Sequence, residues 1–229
     1  MKEGLLDKIR GAGYWRINMR PLRPEQKRRS FDDYEILVKQ SRVSLRGWDY
    51  PHISRNPDNG GLERFGDYVE AWCDWQHHSE FWRMYKSSQF LYYKNMWEDT
   101  AESQDRDRPK GKLLSVFNTI YQVSEILEFS KRLYEAGLYE SGVKLILSLE
   151  NSQARQLWFS KPERGAFFDE KRLNIERLLI ERSITKVELS QYSNKVATEV
   201  IIEIFDNFGW NPDKHQIEVE QQNFYSKNW

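Results

Sequence analysis

The sequence predicts an α+β fold: short antiparallel strand pairs packed against long amphipathic helices, in the order β-α-β-β-α then α-β-β-α. Three observations point there. Apolar residues alternate with polar ones at 13–22 and 142–150, the period of a half-buried strand. They recur at three- and four-residue spacing at 30–40, at 113–135 and beyond Ser190, the period of a helix. The strand-like stretches also come in neighbouring pairs, which suits antiparallel pairing better than a doubly wound parallel sheet.

The elements follow in order. In "GYWRINMRPL" (13–22), Trp15, Ile17 and Met19 share one face, and Pro21 and Pro24 close the strand. In "SFDDYEILVKQ" (30–40), Ser30 is a helix cap, Asp32 and Asp33 suit the positive end, and Phe31, Tyr34, Leu37 and Val38 line one face. A second strand is expected at 42–50. "RNPDNGG" (55–61) is turn chemistry, and 62–75 reads as one long strand with Phe65, Val69, Ala71, Cys73 and Trp75 on one side. Ser79 then caps an expected helix through Phe81, Trp82, Tyr85, Gln89, Tyr92 and Tyr93. The polar stretch 98–112 is expected to be a loop, followed by a helix over 113–135 on Leu114, Phe117, Ile120, Val123 and Leu127. Residues 142–150 form a strand, and 174–189 carry one or two more. Ser190 opens a last helix that Gly209 stops, with Pro212 beyond. The tail 213–229 has weak periodicity and is expected to be disordered or a partner-binding strand.

These elements describe a single domain over 1–229, or two packed halves, 13–97 and 113–210, joined by loop 98–112. Aromatic residues make up 14% of the 229, a share that disordered chains lack. Thirty-five basic residues balance thirty-five acidic ones, so no global field draws the chain to nucleic acid or an anionic membrane. Cys73 is the only cysteine, which excludes an internal disulfide. The start has no apolar signal core, and no stretch reaches the ~20 apolar residues of a membrane helix. A soluble, cytoplasmic chain with no membrane contact is expected.

The sequence carries no recognised catalytic motif. GxSxG, GxGxxG and GxxxxGK[ST] are all absent. Cys73, Asp74, His77 and His78 lie close together with His52 elsewhere, but their spacing matches no zinc framework. No metal and no cofactor are expected. Arg20, Arg23, Lys27, Arg28 and Arg29 form a basic run beside Trp15 and Trp48, a candidate phosphate-contacting surface whose plainer reading is a solvated loop.

The most concentrated stretch is "SLRGWDYPHIS" (44–54). Gly47 permits a bulge, Pro51 forbids continued pairing, and Trp48 and Tyr50 offer polar tips on apolar rings. Its plainer reading is a structural corner, its sharper one a ligand-facing rim. "LRGWDYPHI", followed by "WRMYKSSQFLYY" and "MWED", resembles a bacterial protein family in which a strand ends in an R-G-W-[DY]-[FY]-P-H-like motif and a W-x-x-[YF]-x-S-[GS]-Q-F segment follows. The resemblance runs from about Trp15 to Trp210, and Arg46, Gly47, Trp48, Tyr50, Pro51, His52, Ser87, Gln89 and Phe90 match its motif positions. Some members carry an N-terminal Schlafen-type AlbA domain and are described as transcriptional regulators or ATP-binding proteins. This chain is expected to have no room for that domain, so its activity is not carried over. The resemblance implies no catalytic residue.

The candidate binding residues are therefore Arg46, Trp48, Asp49, Tyr50, His52, His77 and Gln89. The leading expectation is a non-enzymatic binding or sensing module in a bacterial regulatory or antiviral defence system, acting with a protein partner or by self-association. Abundant Trp and Tyr, favoured interface anchors, support it. A first alternative is a hydrolase or nuclease using His52, His77 or His78 with Asp49 or Asp74, which requires an imidazole and a carboxylate to converge in a pocket. A second is a nucleic-acid binder using the 20–29 basic run.

Overall fold

A computed structural model of the chain describes residues 1–25, 27, 29–101 and 108–227. Its centre is a seven-stranded sheet in which every pairing is antiparallel. The strands are β1 (Tyr14–Pro21), β2 (Gly60–Arg64), β3 (Tyr68–Trp75), β4 (His78–Tyr85), β5 (Phe90–Asn95), β7 (Val143–Glu150) and β10 (Arg177–Ile184), in the spatial order β10-β7-β1-β5-β4-β3-β2. A small second sheet joins β6 (Leu113–Ser115), β8 (Arg155–Trp158) and β9 (Arg172–Leu173). The helices are α1 (Leu5–Arg10), α2 (Phe31–Ser41), α3 (Trp97–Thr100), α4 (Val116–Glu135), α5 (Lys186–Asn207) and α6 (Lys214–Tyr225). The fold is α+β, as the sequence predicts. No described helix is long and apolar enough to cross a membrane.

One sheet face carries the main core. Trp15, Ile17 and Met19 of β1 lie beside Tyr92 and Phe90 of β5, Trp82 and Met84 of β4, and Leu145, Leu147 and Leu149 of β7, all buried. The 20-residue helix α4 covers this face; Ser130 reaches Met19 and Phe129 meets Tyr50 and Phe90. The opposite face is covered in part by α1, where Leu5 and Ile9 pack on Tyr14, Phe81 and Tyr93.

Several elements differ from expectation, each for a local reason. The helix expected from Ser79 is instead the hairpin β4–β5, which spans 78–95. Both faces of these strands are buried, one under α4 and one under α1, so the alternation that marks a half-exposed strand is erased. Ser88 takes the left-handed conformation (φ 64°) at the turn. The single strand expected at 62–75 is likewise a hairpin, β2–β3, turning at 65–67 where Gly66 and Asp67 sit. Residues 42–50 form no strand; only Val43 and Tyr50 pair, closing a loop. The last long helix begins at Lys186, because Thr185 and Glu188 form a reciprocal capping box, and it departs from helical geometry at Tyr192, near the expected start. The tail is helical as α6, whose Ile217 and Phe224 are buried against the core; it is neither disordered nor a strand over 214–225. β8 and β9 were not anticipated. In the 98–112 stretch, α3 occupies the start, and 102–107 lie outside the described residues.

Candidate functional site

The 44–54 segment folds over one end of the core face. Val43 and Tyr50 exchange two backbone hydrogen bonds, of 2.8 and 2.9 Å, and Gly47 at the tip has φ 75°, where a side chain would be strained. Asp49 stiffens the loop by accepting from Arg42 (2.8 Å) and Ser44 (2.5 Å). The Tyr50–Pro51 peptide is cis. Arg46 reaches α4, where its guanidinium donates to both oxygens of Glu125 (3.0 and 2.6 Å) and to Asn118 Oδ1 (2.5 Å). Tyr50 is buried, edge-on to Tyr92 and Phe129.

The sheet supplies the floor. Glu80 of β4 and Lys94 of β5 are direct cross-strand partners on the face toward α4. Glu80 is 1% exposed and accepts from His52 N (2.9 Å), Tyr92 Oη (2.9 Å) and His78 Nε2 (2.6 Å). Lys94 Nζ donates to Gln122 Oε1 of α4 at 3.0 Å. Above this floor Trp48 stacks on His52 (ring centroids 3.9 Å), runs nearly parallel to Trp75 (5.9 Å, 9°) and tilts against His78 (4.1 Å).

Two cavities meet at Trp48. One, of about 270 Å³, is lined by Trp48, Tyr50, His78, Tyr92, Lys94 and Trp97 among others. The other, of about 420 Å³, lies toward His52, Ser54, Asn59 and Cys73. Several polar atoms here are buried without a hydrogen-bond partner: Trp48 Nε1, Tyr50 Oη, His52 Nδ1 and, behind Lys94, Gln122 Nε2. Buried polar groups are ordinarily satisfied; other unpartnered atoms are scattered through the molecule, and the four gathered around Trp48 beside open cavities make this the candidate site. A roomier hollow of about 690 Å³ at Arg23 and Lys186 has no such unpartnered buried side chain on its wall.

Burial sets the electrostatics. It draws the His78 and His52 imidazoles below their ordinary 6.5, outweighing the opposing pull of Glu80. Burial alone would raise Glu80; His78 and Lys94 together overcome it and hold the carboxyl at about 2. Burial, then the neighbouring Arg46 charge, lowers Lys94. The buried Cys73 thiol is pushed up to about 12, the opposite of an activated nucleophile. With Glu80 ionised, the consistent tautomer of His78 donates from Nε2 and leaves Nδ1 as an acceptor.

Arg46, Trp48, Asp49 and Tyr50 border the smaller cavity, and His52 borders the larger. His77 is exposed; its carbonyl accepts from Asn95 and Thr100, and its ring takes no part in the pocket. Gln89 lies on the opposite sheet face, donating to Asn18 (2.9 Å). Asp74 is also on that face, bound by Lys2, Lys8 and Ser79, so it does not join the histidines. Of the basic run, Arg20, Arg23 and Lys27 are exposed. Arg29 has a side chain only 4% exposed, tied to the Gly137 carbonyl and beside Glu25 (3.8 Å), and Arg28 lies outside the described residues. Among the described residues no group of three His, Cys, Asp or Glu side chains is arranged to hold a metal ion.

Reading the residues missed Glu80, Lys94, Trp75, Trp97, Asn118, Gln122 and Glu125. One signal was available: Asn118, Gln122 and Glu125 stand four and three residues apart, a polar stripe on a helix with many apolar buried residues. Comparison with protein-family models, curated proteins and solved structures finds no match to this chain.

Proposed function

We propose that the chain is a binding or sensing module whose ligand is a small molecule held in the pocket between Trp48, the β4–β5 floor and α4. The observation that carries this reading is the convergence of unpartnered buried donors, Tyr50 Oη and Trp48 Nε1, with the Lys94 ammonium around one cavity. The fixed frame also supports it: Arg46 and Glu80 each have several partners and hold the walls before any ligand arrives. The test is a library of small polar metabolites screened by ligand-observed NMR against the chain and its Trp48→Ala variant. Binders that the variant loses are expected. A library without binders, or binders that Trp48→Ala retains, counts against the reading.

A second reading, a hydrolase, is favoured by one observation. His78 Nε2 and Glu80 Oε2 lie 2.6 Å apart at the cavity wall, an oriented imidazole of the kind a general base requires. Against it, no Ser, Thr or Cys among the described residues hydrogen-bonds His78, so water must be the nucleophile. Hydrolysis of a generic ester or phosphodiester substrate that His78→Gln abolishes would favour this reading over simple binding.

A further inference from the structure

We infer that the ligand of the Trp48 pocket carries an oxyanion, a carboxylate or a phosphate, that docks on Lys94 and Tyr50 with an apolar body against Trp97 and Tyr92. This rests on the binding role proposed above and names the ligand class.

The leftover hydrogen-bonding capacity is almost entirely donor. Lys94 has three N–H groups and, among the described residues, one hydrogen bond, to Gln122 Oε1. The Tyr50 hydroxyl, the Trp48 indole N–H and the Gln122 amide nitrogen are buried without acceptors. The exceptions are Glu98 Oε2, an acceptor beside Asn118, and His52 Nδ1, whose role depends on the tautomer. Of the carboxylates around them, Glu98 keeps one oxygen, Oε2, buried without a donor among the described residues, and the others are occupied. Both oxygens of Glu125 accept from Arg46, Asp49 serves Arg42 and Ser44, and Glu80 accepts from His52, His78 and Tyr92.

Lys94 is thus a cation at the pocket with no carboxylate partner among the described residues, in contrast to Arg46 beside it. Glu80 and Glu125 act on this desolvated cation without touching it, and an oxyanion in direct contact supplies the missing acceptors. Glu80 and Glu125, each held by its own donors, oppose an incoming negative charge. They favour one compact oxyanion headgroup over an extended polyanion. The cavity of about 270 Å³, walled by the rings of Trp48, Tyr92 and Trp97, accommodates a ligand of one ring in size.

The experiment titrates benzoate, phenyl phosphate and benzamide into the chain and its Lys94→Met and Tyr50→Phe variants, read by protein-observed NMR. Tyr50→Phe removes only an unpartnered hydroxyl, so it keeps the comparison valid if Lys94→Met folds poorly. Expected is binding of benzoate or phenyl phosphate at least about tenfold tighter than benzamide, with the preference lost in Lys94→Met and weakened in Tyr50→Phe. Which of the two anions binds better identifies the headgroup. Benzamide binding as tightly as both anions, or a preference that both variants keep, overturns the inference while leaving the pocket a binding site. If none of the three binds but neutral fragments do, the oxyanion is again excluded and the binding role stands. Only the failure of every fragment, charged and neutral, removes the binding role along with it.

Discussion

Glu80 and Lys94 stand directly opposite each other on β4 and β5, yet no ion pair joins them. Glu80 accepts from His52, His78 and Tyr92, while Lys94 reaches across to Gln122 of α4. Facing opposite charges on neighbouring strands ordinarily attract one another. Here three donors hold the carboxylate, and the ammonium of Lys94, a residue of the cavity wall, is tied among the described residues only to a neutral amide. That separation makes the end of the sheet under Trp48 chemically different from the apolar core beside it.

Acid should weaken the fold in a defined window. His78 and His52 titrate below 6.5 in the folded chain because burial disfavours their charge. Their neutral forms are favoured by folding, so this contribution is whole above 6.5 and is lost as pH falls below it. Glu80, lowered from 4.5 to about 2, contributes stability that is present above 4.5 and lost as pH falls toward 2. The urea midpoint is therefore expected to fall as pH drops below 6.5, and to fall further below 4.5. NMR titration of the two rings should give midpoints under 6.5; midpoints above it would mean that Glu80 outweighs desolvation.

The Arg46–Glu125 pair fastens the 44–54 loop to α4. Glu125 is 1% exposed, so Glu125→Ala leaves a mostly buried guanidinium without its partner and is expected to cost about 3 kcal/mol in urea unfolding. Arg46→Met with Glu125→Leu should cost clearly less than the sum of the single changes, because the double variant leaves no buried charge. Additive losses would show that the two side chains act independently.

The basic run separates into structural and surface residues. Arg29→Ala removes a buried guanidinium bonded to the Gly137 carbonyl and is expected to cost about 2 kcal/mol. Arg20→Ala, at an exposed position, should stay within about 0.5 kcal/mol. Equal effects in thermal or urea unfolding contradict that division.

What the sequence made legible follows from exposure. Where one face meets water, as in β1, or a cap is unambiguous, as at Ser30 with its reciprocal Asp33, pattern and structure agree. Where both faces are covered, alternation vanishes: Phe81 and Trp82, or Tyr92 and Tyr93, are consecutive buried rings on opposite sides of one sheet, and they mimic helical spacing. The site was half legible for a similar reason. Arg46, Trp48, Asp49 and Tyr50 are contiguous and stand out, whereas Glu80, Lys94 and Glu125 come from three elements whose meeting depends on the β4–β5 hairpin. With that segment read as a helix, Glu80 and Lys94 had no reason to be neighbours.

The central claim is that the cavity under Trp48 receives a ligand. The most direct measurement follows the Trp48 indole N–H in ¹⁵N spectra, assigned with Trp48→Phe, while the tightest binder from the screen is added. A saturable shift of this resonance, absent when Lys94→Met is titrated with the same compound, is the expected result. A ligand that leaves the Trp48 indole unmoved and shifts Trp210, in the separate groove against Phe159 and Phe167, would contradict it.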